Sequence, residues 1–318
     1  MTSSKMTKAP RVIVDPCFAS EWRDLNDFIG EFGPYNGRYV PSYPADWVSR
    51  MRAHVEDLDL LPRKKAEMIA KVLQHAHLCT VPESWAWNDG RSWKDNLHAI
   101  GEGLANSIVV GDAFDPEPYN AWHEVVDDIR DSRIRSFVFS GSVAEYVELC
   151  KPLLLASPAA YLIDPYVDPL SQEIEILLRR FFDLIKGSRC YSIELVRRWP
   201  YDQSMSREDF EKQLNDLYQG LVPKGRSLKV HGVVDGGKPG ELRMHDRFFL
   251  TKHGALSFGH GFRVSLKGGA LQNAFVVDSA HHDVLKSTYI DGVAFFKDHP
   301  RLKSEMPRPR DVVSFEVR

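Results

Sequence analysis

Residues 242–262, LRMHDRFFLTKHGALSFGHGF, hold the side chains best suited to chemistry in this 318-residue chain. The stretch reads as two strands joined by a Lys252-His253-Gly254 turn. Side chains alternate along a strand. Arg243, His245, Arg247 and Phe249 therefore share one face, and Leu242, Met244, Phe248 and Leu250 share the other, which reads as core. A histidine between two arginines on a sheet face suits an anion. Guanidinium forks match phosphate oxygens, and an imidazole can attack phosphorus or carry a proton. His260, set between Gly259 and Gly261, reads either as a pocket residue or as a turn histidine with its hydrogen bonds satisfied. Lys267-Gly268-Gly269 could bring backbone amides to a phosphate. The structural alternative for His245 and Arg247 is a pair hydrogen-bonded to Asp246, Asp164 or Asp168.

The elements that position this stretch follow from periodicity. From Pro158 onward, AAYLIDPY, CYSIELVRR, SLKVHGVVD and QNAFVVDS read as strands, and 170–186 and 207–221 read as amphipathic helices. Alternation of this kind predicts an α/β sandwich with a mostly parallel sheet over residues 156–300. Residues 1–155 read as a mainly helical domain, with a strand at RVIVD and helices beginning near Asp46 and Pro62. Two further helices are expected there, over 96–110 and 119–130. Trp85, Trp87 and Trp93 could form a stacking platform for bases, although helix packing against an irregular loop is favoured. Residues 301–318 read as a loose tail. The paired IVDP and LIDP segments opening the two halves are too short to establish a duplication.

Composition narrows the class. The chain is 43% hydrophobic and 27% charged, as in soluble globular proteins. No apolar run is long enough for a membrane helix and the first residues lack a secretory core, so a cytoplasmic protein is expected. Cys17, Cys79, Cys150 and Cys190 are widely spaced and read as thiols. Neither His75, His77, Cys79 and Glu83 nor His281-His282-Asp283 has convincing metal-ligand spacing, so no metal and no cofactor is expected. Residues 1–150 carry 16 Lys and Arg against 23 Asp and Glu, whereas the remainder carries 25 against 21. The basic second half would meet nucleic acid or another phosphodiester, and the acidic first half a protein partner.

The motif spacing resembles that of the phospholipase D superfamily, in which H-x-K-x4-D is followed by x6-G-S-x-N. His245 falls at the histidine, Arg247 at the lysine, Lys252 at the aspartate, Gly259 at the glycine, His260 at the serine and Phe262 at the asparagine. The HDR and GHGF wording is also similar to the phospholipase D-like C-terminal domain of MIT-domain proteins, a branch that binds phosphorylated headgroups without cutting them. The resemblance covers residues 158–300. It implies a metal-independent phosphodiesterase or nuclease acting through a phosphohistidine at His245, with Arg247 and His260 in catalytic roles. Arg243, Lys252, Gly259 and Lys267 would contact phosphate. A single motif supplies one histidine, so catalysis implies a homodimer. The alternative is a non-catalytic nucleic-acid- or phosphate-binding module of a larger assembly. Attachment to an unrelated helical half also resembles prokaryotic conflict systems such as phage defence, by fold-level analogy.

Overall fold

A computed structural model describes residues 11–104, 107–115, 117–132, 135–199, 205–234, 247–266, 269–291 and 312–317. Two compact units divide between residues 135 and 136, not at the expected 155.

Residues 7–135 contain β1 (Arg11–Val14), α1 (Trp22–Glu31), β2 (Val40–Ser42), α2 (Trp47–Asp57), α3 (Pro62–Lys71), α4 (His77–Cys79), β3 (Thr80–Pro82), α5 (Trp93–His98), β4 (Ser107–Val110) and α6 (Trp122–Asp131). Parallel β1–β4 and β2–β3 pairs sit among the helices. The helix expected over 96–110 is a short helix followed by a strand. The β-branched run Ile108-Val109-Val110 fits a pleat beside β1 better than a helix. The tryptophans pack as favoured. Tyr43 lies edge-on to Trp85 and Trp87 at 5.5 and 5.2 Å, and the Trp93 indole donates to the Tyr43 carbonyl. The guanidiniums of Arg11 and Arg50 cover the Trp85 and Trp87 rings, at 4.5 and 4.9 Å from their centroids. All four cysteines are free thiols.

The second unit runs through β5 (Ser136–Phe139), α7 (Val143–Ala156), β6 (Ala159–Ile163), α8 (Gln172–Ile185), β7 (Ser192–Trp199), α9 (Arg207–Tyr218), β8 (Ser227–Val234), β9 (Phe248–Thr251), β10 (Ala255–Phe258), β11 (Gln272–Val276), α10 (Ser279–Leu285) and β12 (Val312–Val317). Its eight strands lie in the order β12-β8-β7-β6-β9-β10-β11-β5. Only β6–β7 and β7–β8 are parallel, so the sheet is mixed rather than mostly parallel. A parallel pair needs a long crossover. Here α8 and α9 supply the two that exist, while turns such as 252–254 reverse the chain at once.

Strand β5 explains the displaced boundary, because it pairs with β11 and brings α7 with it. The expected tail is also corrected, since residues 312–317 form the edge strand β12 against β8. On one face of the sheet, α7, α8 and α9 bury Leu154, Phe181, Phe182 and Leu214 against Leu162, Leu195, Val230 and Phe249. Each such side chain contributes roughly 1.5–3 kcal/mol by leaving water. The opposite face packs Ile163, Val196, Phe248 and Leu250 against Leu285 of α10 and Tyr289. Both faces of β9 are therefore core over its length, and polar side chains reach the surface only beyond its ends.

A buried polar chain ties β12 to the sheet. Register places Ser314 opposite His231. The His231 ring contacts the Ser314 hydroxyl through Nδ1 at 2.9 Å and the Glu194 carboxylate through Nε2 at 2.8 Å. Ser192 donates to the same carboxylate, and Lys229 lies 3.6 Å from it.

Candidate phosphate site

One end of the sheet gathers the strand termini that carry polar residues. Strand β6 ends there and β9, antiparallel to it, begins there; β10, antiparallel to β9, ends there. In open α/β sheets the crevice beyond the carboxyl ends of parallel strands is the usual ligand position. A cavity of about 570 Å³ occupies this place. The loop after β6 lines it with Asp164, Tyr166, Val167 and Asp168, and the start of α8 with Ser171, Glu173 and Ile174. Arg247 enters from the start of β9, and His260, Phe262, Arg263 and Val264 enter from the loop after β10. The volume is that of a small-ligand site.

Asp164 holds the two loops together. Its buried carboxylate accepts the Tyr166 amide through Oδ1 and the Phe262 amide through Oδ2, each at 2.9 Å. The second bond spans 98 residues of sequence and fixes the glycine-rich turn that carries His260. That turn closes through the Gly261 amide onto the Phe258 carbonyl, with Gly261 at φ +75°. The Tyr146 hydroxyl lies 2.8 Å from both the Gly261 carbonyl and Gln272 Oε1, fastening the turn from beneath.

Arg247 donates from Nη1 to the Gly259 carbonyl at 3.1 Å. Its Nε is buried and has no hydrogen-bond partner among the described residues. A buried guanidinium N–H without a partner is costly, and the Arg247 side chain also lines the cavity. The Arg247 guanidinium lies 5.6 Å from the Tyr166 ring centroid, and Arg198 approaches the same ring at 5.4 Å. Half-exposed Tyr166 thus stands between two cations. Arg197 is buried beside Phe210, with Nη1 3.8 Å from Asp168.

Of the residues expected from sequence, Arg247, Gly259 and His260 come together at this sheet end. His245, Arg243 and Lys267 lie outside the described residues. Lys252 is exposed in the turn at the far end of β9 and does not join them. Phe262 is a core ring, stacked 5.8 Å from Tyr146, rather than a polar phosphate contact. Asp164, Asp168, Tyr166 and Arg263 complete the cavity. An acidic residue directly after a buried strand, as in Leu162-Ile163-Asp164-Pro165, is the signal that marks this end of the sheet. His282 is buried and bonded to the Thr251 carbonyl, and so serves the packing of α10.

In the unit of residues 7–135, Asp15, Cys17 and Asp112 offer ligand atoms within 4.8 Å of one another. Burial pushes the Asp15 carboxyl up to about 6 and, with the neighbouring carboxylates, the Cys17 thiol up to about 12. Among the described residues, no helix is long and apolar enough to cross a membrane. Comparison with protein-family models and with curated protein sequences finds no match for this chain.

Proposed function

We propose that the second unit recognises a phosphate or phosphodiester in the cavity walled by Arg247, His260 and Arg263. The observation that carries this reading is the gathering of Arg247, His260 and Arg263 on one cavity, with the buried Nε of Arg247 unpartnered among the described residues. A phosphate oxygen would complete the guanidinium fork, in the bidentate geometry that arginine favours. Nucleic acid or another phosphodiester is the ligand class suggested by the basic second half.

Turnover is the stronger form of the same reading. His245, two residues before Arg247, would attack phosphorus, and a second histidine would protonate the leaving oxygen. In a homodimer that second histidine would come from the other copy; within one chain His260 is the candidate. The non-catalytic alternative is favoured by two observations, the position of Lys252 at the far end of β9 and the burial of Phe262 in the core. Cleavage of DNA or RNA that resists EDTA and disappears in His245→Ala supports turnover. Salt-sensitive binding without cleavage supports the binding module.

Arg247→Ala is expected to weaken binding of inorganic phosphate or a short oligonucleotide by about 10- to 100-fold, as for a hydrogen bond to a charged group. Titration calorimetry at fixed salt measures this. Lys252→Ala, at the far end of the strand, serves as the control and should leave affinity within about twofold. Equal affinity of Arg247→Ala and the parent chain would remove the site.

A further inference from the structure

The cavity is divided by charge, and the division points to a ligand of two parts. Arg247, His260 and Arg263 enter from the β9–β10 side, while Asp168 and Glu173 enter from the loop after β6 and the start of α8. Strand β9 separates β6 from β10 in the sheet. A phosphate alone would use only the basic residues and would lie in the same cavity as three carboxylates, those of Asp164, Asp168 and Glu173, that repel it. Asp168 is only partly engaged, by the Leu170 amide at 3.1 Å and by Arg197 at 3.8 Å. Glu173 has no hydrogen-bond or ion-pair partner among the described residues. Its place in the first turn of α8 favours a carboxylate through the helix dipole and would suffice for an acid facing solvent. The side chain instead lines the cavity that Arg247, His260 and Arg263 also line.

We infer that this cavity selects phosphate esters whose alcohol portion carries an amino group, with Asp168 and Glu173 as the specificity-determining residues. The inference rests on the phosphate site proposed above. The phosphate binds the arginine wall, and the amino group donates to the carboxylates. Two chemical sources share this pattern: an aminoalkyl phosphate, with a protonated amine, and a nucleotide, with the exocyclic amine of its base. Half-exposed Tyr166 borders the space a base would take.

Titration calorimetry on the full chain with two ligand pairs tests the idea. Phosphoethanolamine is compared with ethyl phosphate, and CMP with UMP, and inorganic phosphate is measured alongside. In at least one pair the amino-bearing member is expected to bind about tenfold tighter, as one hydrogen bond to a charged acceptor provides. The pair that discriminates identifies the source. Asp168→Asn with Glu173→Gln should abolish that preference while leaving inorganic phosphate binding equal or stronger. Glu173→Gln alone, at a partly buried position in the first turn of α8, should reduce the preference at least threefold and serves if the double variant does not fold. No preference in either pair, with inorganic phosphate still bound through Arg247, overturns the selectivity and leaves the phosphate site standing. A preference that survives the carboxylate substitutions also overturns it. Failure of inorganic phosphate to bind overturns both.

Discussion

Gly261→Ala is expected to destabilise the second unit by about 3 kcal/mol or more and to abolish phosphate binding. A Cβ at this position would stand 2.0 Å from Asp164 Oδ2 and 3.1 Å from Arg247 Cδ. The carboxylate cannot retreat without releasing the Phe262 amide, which it holds at 2.9 Å. The left-handed φ of +75° adds roughly 1–2 kcal/mol for any residue with a Cβ, and overpacking a buried contact adds about 1–3 kcal/mol. Either way of relieving the clash displaces a cavity wall, moving the turn that carries His260 or the arm of Arg247. Gly259→Ala is the matched control. Its Cβ would meet nothing closer than the Asn273 carbonyl at 3.9 Å, so a cost below about 1 kcal/mol is expected. Urea unfolding followed at Trp199, which lies in the second unit, compares the two. Equal midpoints for the two variants would show that the Asp164 clamp does not fix the turn.

The same turn shows what was legible in the sequence. The strand pair at 248–258 and helix α8 could be read from local pattern. The Lys252-His253-Gly254 turn between two apolar runs marked the first, and the spacing of Leu177, Leu178, Phe181, Phe182 and Ile185 after the Ser171 cap marked the second. Sheet direction could not be read, because whether β9 lies beside β6 or elsewhere depends on pairings between distant segments. Strand β12 was hidden by the proline- and arginine-rich residues before it. Its alternation, with Phe315 and Val317 facing the core, gains meaning only once β8 lies alongside. Strand β4 was lost for the same reason. Ser107–Val110 satisfies a helical pattern locally, and the β1 ladder decides against it. At the site, Arg247, Gly259 and His260 stood out by type and spacing. Asp164 was marked as an acid directly after a buried strand, but its role could not be read, because it binds two amides brought together only by the fold.

The second large effect is expected where no ligand binds. His231→Ala should cost about 3 kcal/mol near neutral pH, because it leaves the buried Glu194 carboxylate without its closest partner. Lys229 at 3.6 Å and the Ser192 hydroxyl at 3.1 Å remain, which keeps the loss toward the low end of the range for a broken buried pair. Ser314→Ala removes one hydrogen bond to the same ring and should cost about 1 kcal/mol. The pH dependence separates the charge from the packing. In the parent chain burial alone would raise the Glu194 carboxyl, but the bond and charge of His231, aided by Lys229 and Ser192, hold it below its ordinary 4.5. That contribution is present above about pH 4.5 and is lost as pH falls through the lowered value. Without the imidazole, burial acts with less opposition, and the carboxyl of the variant moves upward. The variant then binds its proton in the folded state before the unfolded chain does, so its stability falls as pH rises through that range. The gap between parent and His231→Ala is therefore expected to be widest above pH 6 and to narrow steadily toward pH 4. Urea midpoints taken across that interval decide it. A gap that stays constant with pH would mean that the ring acts through packing, and that β12 is held by its backbone ladder and the burial of Phe315 and Val317.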